Sequence, residues 1–243
     1  MPETRATGAM PVVLALDTAG SACSAVVAVG DTVLSAARVE SRHGQAEVLL
    51  PIVDSAMRKA ELAPAALDLV AVSVGPGSFT GIRVGLAAAR GIALATDARM
   101  VGVSCFEAVA VVPRPDRDDF PCILVALESR REDIYVQLFD RRRDPIGQPI
   151  AVMPATLQEV VSKAVGATPL LIAGNAAQRA TSALARRKDI FVLEDSAPDA
   201  IGVLRAGLRR WSMEVVDAPR PLYLRPPSVT LSSPDQRSRL GRA

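Results

Sequence analysis

Val74-Gly75-Pro76-Gly77-Ser78-Phe79-Thr80-Gly81-Ile82-Arg83-Val84-Gly85 leaves an apolar run, Leu69 to Val74, and enters an alanine-rich segment. The pattern reads as a buried strand, a glycine loop and a helix from about Thr80 to Ala95. Glycines let a backbone take positive φ and approach a neighbour closely, and the first N–H groups of a helix point outward, an arrangement suited to a phosphate. A tight strand-to-helix connection would use the same residues, so both readings stand. Gly81, Gly85 and Ala89 also recur every fourth residue, a spacing that lets a second helix backbone pack close.

Upstream, Val12 to Asp17, Cys23 to Val29 and Thr32 to Val39 read as strands, the last two joined by Gly30-Asp31, a pair suited to a two-residue hairpin turn. Between Gln45 and Ala60 the apolar positions Val48, Leu49, Ile52, Val53, Ala56, Met57 and Ala60 keep helical spacing, with Pro51 marking a kink or a late start. The adjacent pair Leu49 and Leu50 cannot face one way, which suggests burial on two sides. The same order returns downstream. Cys122 to Leu127, Ile134 to Phe139 and Ile146 to Val152 read as strands, Thr156 to Val165 as helix, Leu170 to Ala173 as strand, then Gly174 and a further helix. Arg114 to Asp119, rich in charge and proline, is the natural connection, and Ile201 to Leu208 supplies another helix. Three strands, helix, strand, helix, given twice, is the layout of a duplicated α/β fold with two lobes and a cleft.

At 243 residues and 49% hydrophobic content the chain can bury a core without covalent staples. Cys23, Cys105 and Cys122 form no close pair and no metal-ligand spacing, so structural thiols in a reducing, cytoplasmic compartment are expected. Met1 to Met10 contain no apolar run and Asp17 interrupts the next one, so neither a signal peptide nor a membrane span is expected. Twenty-eight basic against 26 acidic residues leave a net charge of +2, which gives no general attraction for nucleic acid; any RNA contact has to be local or indirect. His43 is the single histidine, too few for a zinc peptidase site, and no histidine is placed by sequence beside Ser78 or Ser104. No metal site is expected.

Gly75 to Arg83, with Ala15-Leu16-Asp17-Thr18-Ala19, the stretch His43 to Pro51, Val103-Ser104-Cys105-Phe106-Glu107, Arg130 to Tyr135 and Pro221-Leu222-Tyr223-Leu224-Arg225, resembles the TsaB family across roughly residues 11 to 226. The resemblance implies a bilobal actin-like, sugar-kinase-like fold, a duplicated ribonuclease H-like α/β architecture. Residues 11–112 would form the first lobe and 120–225 the second, with 1–10 and 226–243 as flexible tails. It further implies a subunit without catalytic residues of its own, which binds a TsaD-type catalytic subunit while threonylcarbamoyl is transferred to tRNA adenosine. A TsaE-type ATPase is the implied third partner, a homodimer the implied state without TsaD, and tRNA is reached through the complex. The helices carrying Leu49, Ile52, Val53 and Met57, and Gly81, Arg83, Gly85, Leu86 and Ala89, are expected to build the bundle with a second subunit.

In nucleotide-binding members of this fold an acidic residue ends each lobe's first strand and a glycine loop meets the phosphates. Asp17, Gly75, Gly77 and Glu128 are the vestigial candidates for such a site. Ala19 and Ser21 break the phosphate-loop spacing after Asp17, and Glu128 stands where TsaB-like chains more usually carry Asp. No cofactor is expected to bind the isolated chain tightly; nucleotide binding within the complex stays open. The rival reading is an ATP-dependent kinase-like enzyme built on the same residues.

Overall fold

The computed structural model describes residues 10–40, 45–112, 120–193, 196–214 and 218–225. His43, the 114–119 connection and the tails 1–9 and 226–243 lie outside the described residues. The first sheet contains β1 (Val12–Asp17), β2 (Ala22–Val29), β3 (Thr32–Glu40), β4 (Leu69–Gly75) and β5 (Arg99–Ser104), in the order β3-β2-β1-β4-β5. The second contains β6 (Cys122–Glu128), β7 (Ile134–Asp140), β8 (Pro145–Val152), β9 (Leu170–Ala173) and β10 (Ile190–Val192), in the order β10-β9-β6-β7-β8. Each lobe's first strand therefore pairs antiparallel with its hairpin partner and parallel with its fourth strand. This is the bilobal actin-like duplication, and the Gly30-Asp31 turn joins β2 to β3 as the sequence suggests. The expectations lacked β5, β10 and a short helix, α3 (Cys105–Ala110).

Helices α1 (Gln45–Lys59) and α2 (Phe79–Thr96) cover one face of the first sheet. Pro51 lies inside α1 on its exposed side, so the helix continues through a position that lacks the N–H owed to Glu47. The other face of that sheet is covered by α6 (Ala200–Ser212), whose Val203, Leu204 and Ala206 pack with Val13, Ala15, Ala71 and Val101. The C-terminal helix thus returns to the first lobe, so the expected boundary of 120–225 for the second lobe does not follow the packing. Phe106 of α3 shares a core with Ile123, Val125 and Phe139 and joins the two sheets. Helices α4 (Pro154–Val165) and α5 (Ala177–Ala183) close the far face. Strands β1 and β6 are buried on both faces, which explains their unbroken apolar runs.

The small residues of α2 serve this packing. A Cβ at Gly81 would lie 2.0 Å from the Thr18 carbonyl oxygen, and one at Gly85 2.4 Å from the Thr18 hydroxyl. The backbone that approaches closely is therefore the chain's own loop after β1. On the same helix Gly91 faces open space. Gly81→Ala should lower the unfolding free energy by about 1–3 kcal/mol or more through overpacking. Gly91→Ala should raise it by about 0.5–1 kcal/mol through helix propensity. Urea denaturation of the two variants checks the opposite signs.

Candidate functional site at the inter-lobe cleft

The cleft is assembled from loops of both lobes that the sheets place side by side. From the first lobe come Ala19 to Ser21 and the glycine loop Pro76 to Thr80; from the second come Leu127 to Arg130, Tyr135 and Asn175. They enclose about 360 Å³. The two first-lobe loops are bonded to each other. Ser78 N–H donates to the Ala19 carbonyl at 2.7 Å, and the Thr18 hydroxyl donates to the Gly81 carbonyl at 2.7 Å. A Cβ at Gly77 would meet the Ala19 carbonyl oxygen at 2.2 Å, so this glycine is needed for contact within the chain. Ser78 caps α2 by accepting from Gly81 N–H. Gly75 adopts φ +107°, and its second-lobe counterpart Gly174 adopts the same angle; each takes the chain out of a parallel strand toward a helix.

The two candidate carboxylates differ. Asp17 is buried, with Oδ1 accepting from Ala19 N–H at 3.1 Å. Burial pushes its pKa up to about 6 and the Asp199 charge adds to that, against hydrogen bonds from Ser73 and Ala19 and the more distant Arg38. Burial likewise raises the thiol of neighbouring Cys105, reinforced by Asp17. Glu128 sits at the cleft wall and pairs with Arg179 at 2.5 Å, while its N–H donates to Asn175. Arg179 also donates to the carbonyls of Arg131 and Glu132, so it serves as a brace of the 128–132 turn. Among the described residues no group of three or more His, Cys, Asp or Glu could hold a metal ion, and no helix is long and apolar enough to cross a membrane.

Residues 218–225 form a strap that runs beside the cleft from the first lobe to the second, a role the Pro221–Arg225 match gave no means of reading. Leu222 N–H donates to the Val74 carbonyl at 2.8 Å. Tyr223 packs on Phe79 with ring centroids 5.2 Å apart, and Arg83 lies 3.8 Å over the Phe79 ring with its Nε donating to the Tyr223 hydroxyl. Arg225 pairs with Asp133 of the second lobe at 2.6 Å. A hydrogen bond from Ser129, and then Arg225, hold the Asp133 carboxyl below the usual carboxylate range despite its burial. Between strap and glycine loop a second hollow of about 250 Å³ opens beside Arg130 and Tyr135.

The structure corrects the residues expected at the subunit seam. Leu49, Ile52, Val53 and Met57, with Gly81, Gly85, Leu86 and Ala89, are all buried in the first lobe, and Arg83 turns to the strap. Their spacing was real, but the face it marked is the one that covers the chain's own sheet. The exposed positions of the same helices mix apolar Ala46, Leu50 and Pro51 with Glu47, Asp54, Arg58 and Lys59 on α1, and Ala87, Gly91, Leu94 and Ala95 with Thr80, Arg83 and Arg90 on α2. Leu50 is 55% exposed and Leu94 87%.

Two duplicated lobes around a loop-lined cleft define an actin-like α/β protein, and structural likeness agrees. YeaZ from Pseudomonas aeruginosa superposes with TM-score 0.73 at 22% identity, covering 88% of this chain and 100% of that one. A ROK hexokinase from Thermus thermophilus gives 0.50 at 14%, covering 84% and 99%. The family profile described as TsaD, tRNA N6-adenosine threonylcarbamoyltransferase, matches residues 38–184. The chain belongs to this family. It is 35% identical to an uncharacterised protein of Mycobacterium leprae over 159 residues, 60% of this chain and 42% of that protein. To the tRNA threonylcarbamoyladenosine biosynthesis protein TsaB of Escherichia coli it is 29% identical over 134 residues, 55% and 57% of the two chains. The matched stretch thus spans about half the length of these relatives.

The folded-state pKa of Asp17 lies above its unfolded value of 3.8, so the stability it contributes is complete below about pH 4 and is lost as pH rises through about 6. Asp17→Asn should therefore be more stable than the parent at pH 8, by at most about 3 kcal/mol. The difference should vanish near pH 4. Urea unfolding at pH 4, 6 and 8 tests this, and a pH-independent difference would contradict the assignment.

Proposed function

We propose that this chain is a subunit of a tRNA threonylcarbamoyladenosine-forming assembly, that it performs no chemistry of its own, and that it binds a TsaD-type catalytic subunit through the outer faces of α1 and α2. The observation that carries the reading is the pair of large apolar side chains those faces leave in water, Leu50 and Leu94. Their inner faces already cover the first sheet, and exposed apolar side chains of this size suit a partner surface. Family membership supplies the kind of partner.

The non-catalytic part of the reading rests on how the cleft groups are engaged. Asp17 is held behind the Ala19 and Ser73 contacts, Glu128 is paired with Arg179, and the glycine loop is packed against Thr18 and Ala19. A group tied into such internal contacts is poorly placed to attack or to carry a metal. A TsaE-type ATPase as third partner, a homodimer through the same face in the absence of TsaD, nucleotide held in the assembled complex, tRNA reached through that complex and a cytoplasmic site of action complete the proposal.

Leu50→Glu with Leu94→Glu should leave a folded chain that no longer co-elutes with the TsaD-type subunit and no longer supports threonylcarbamoyl transfer to tRNA. Leu49→Glu, one residue away but buried, should unfold the chain because an unpaired charge in the core costs several kcal/mol. Circular dichroism separates the two results. A folded double variant that still binds and supports the partner would place the interface elsewhere, and tight ATP–magnesium binding with turnover by the isolated chain would favour the kinase-like reading.

A further inference from the structure

Two basic triplets, Arg141-Arg142-Arg143 and Arg186-Arg187-Lys188, are separated by more than forty residues in the chain, yet the second sheet brings them to one end of the second lobe. The register shows this. Cys122, the first residue of β6, pairs with Asp140 at the end of β7 and with Leu170 at the start of β9, and Leu170 pairs with Ile190 at the start of β10. The β7–β8 turn holding the first triplet and the loop before β10 holding the second therefore both lie at this end, opposite the end that carries Glu128 and the cleft. Lys163, in the last turn of α4, joins them.

Among the described residues, Asp140, Asp144 and Asp189 of this end are engaged inside its loops. Asp140 Oδ1 accepts from the N–H groups of Arg142 and Asp144 at 2.8 Å each. Asp144 pairs with Arg209 of α6, which also donates to the Arg142 carbonyl at 2.6 Å and so fastens the turn to the helix. Asp189 pairs with the largely buried Arg187, which further donates to the carbonyls of Gly166 and Thr168 and clamps the α4–β9 connection to the loop before β10. Arg141, Arg142, Lys163, Arg186 and Lys188 are exposed on this braced platform. Anchored loops presenting exposed cations, with their carboxylates turned to backbone N–H groups and internal arginines, make a fixed positive surface on a chain whose net charge is only +2.

We infer that this end of the second lobe is a docking surface for the phosphodiester backbone of RNA, held by Arg142, Lys163, Arg186 and Lys188. Strands β7 and β10 stand three intervals apart, about 14 Å at roughly 4.8 Å per interval, a span on the scale of a few successive phosphates. Contacts of this kind position an RNA without reading its sequence. The choice of RNA over an acidic protein rests on the tRNA-modification reading above, and the experiment keeps the two separable.

Binding of unfractionated tRNA to the full chain is measured by fluorescence anisotropy between 20 and 200 mM salt, at constant pH. The parent is compared with a variant carrying Arg142→Ala, Lys163→Ala, Arg186→Ala and Lys188→Ala. A charge-matched control carries Arg38→Ala, Arg58→Ala, Lys59→Ala and Arg99→Ala on the first lobe. The platform variant should bind at least tenfold more weakly, and its log–log salt slope should be shallower by about three, since each phosphate contact contributes roughly 0.7–0.9. The control should stay within about twofold of the parent. Amide exchange protection by tRNA at 141–144 and 186–188 gives a readout that no substitution can disturb. Equal weakening by both sets, an unchanged platform variant, or no tRNA binding and no protection in the parent overturns the inference. Loss of partner-protein binding with tRNA binding intact would assign the surface to an acidic protein instead. Failure of the α1/α2 test with tRNA binding still dependent on the platform would move the partner interface off those helices and leave this inference standing.

Discussion

The close approach between the loop after β1 and the glycine loop with the start of α2 is the constraint on which the rest of the first lobe depends. Carbonyl oxygens of Thr18 and Ala19 occupy the space where side chains at Gly81 and Gly77 would stand, and the Thr18 hydroxyl is bonded back to Gly81. That contact fixes α2 over β4, and with it the outward aim of Leu94 and the position of Phe79, on which Tyr223 and Arg83 assemble. A methyl group at Gly81 would push the helix off the loop, because the neighbour is backbone and cannot rotate away. The glycine-rich stretch that suggested a phosphate cradle is thus occupied in large part by the protein itself.

The second lobe repeats the geometry with different chemistry. Gly174 takes the same positive φ as Gly75, and a Cβ there would meet the Ala126 carbonyl at 2.0 Å, as a Cβ at Gly77 would meet Ala19. Where the first lobe ends β1 on a buried carboxylate with a raised pKa, the second ends β6 on a half-exposed one neutralised by an arginine. The backbone solution has been kept twice and the side chains have diverged. The strap then ties the lobes beside their shared cleft, with Leu222 bonded to β4 and Arg225 to Asp133.

Much of the fold could be read from periodicity. Strands buried on both faces, such as Leu69 to Gly75, appear as continuous apolar runs, and α1 keeps its i, i+3, i+4 spacing through Pro51. The elements that escaped were short or weakly patterned: β5 carries Arg99 and Gly102, β10 has three residues, and α3 is marked only by a Ser104–Glu107 capping box. The seam residues were misplaced for a related reason. Leu49 and Leu50 have the same side chain, and no local pattern says which of them meets the sheet.

The sequence by itself determined the duplicated order of elements, the two-residue Gly30-Asp31 hairpin, the glycine loop before a helix and the family resemblance, because each depends on residues close together in the chain. Only the tertiary structure decided that Gly81 and Gly85 face Thr18, that α6 crosses back to the first sheet, that a C-terminal strap clasps Asp133, and that two basic triplets share one end of a lobe. These facts depend on which distant backbone occupies a neighbouring volume, and close packing sets that for the molecule as a whole.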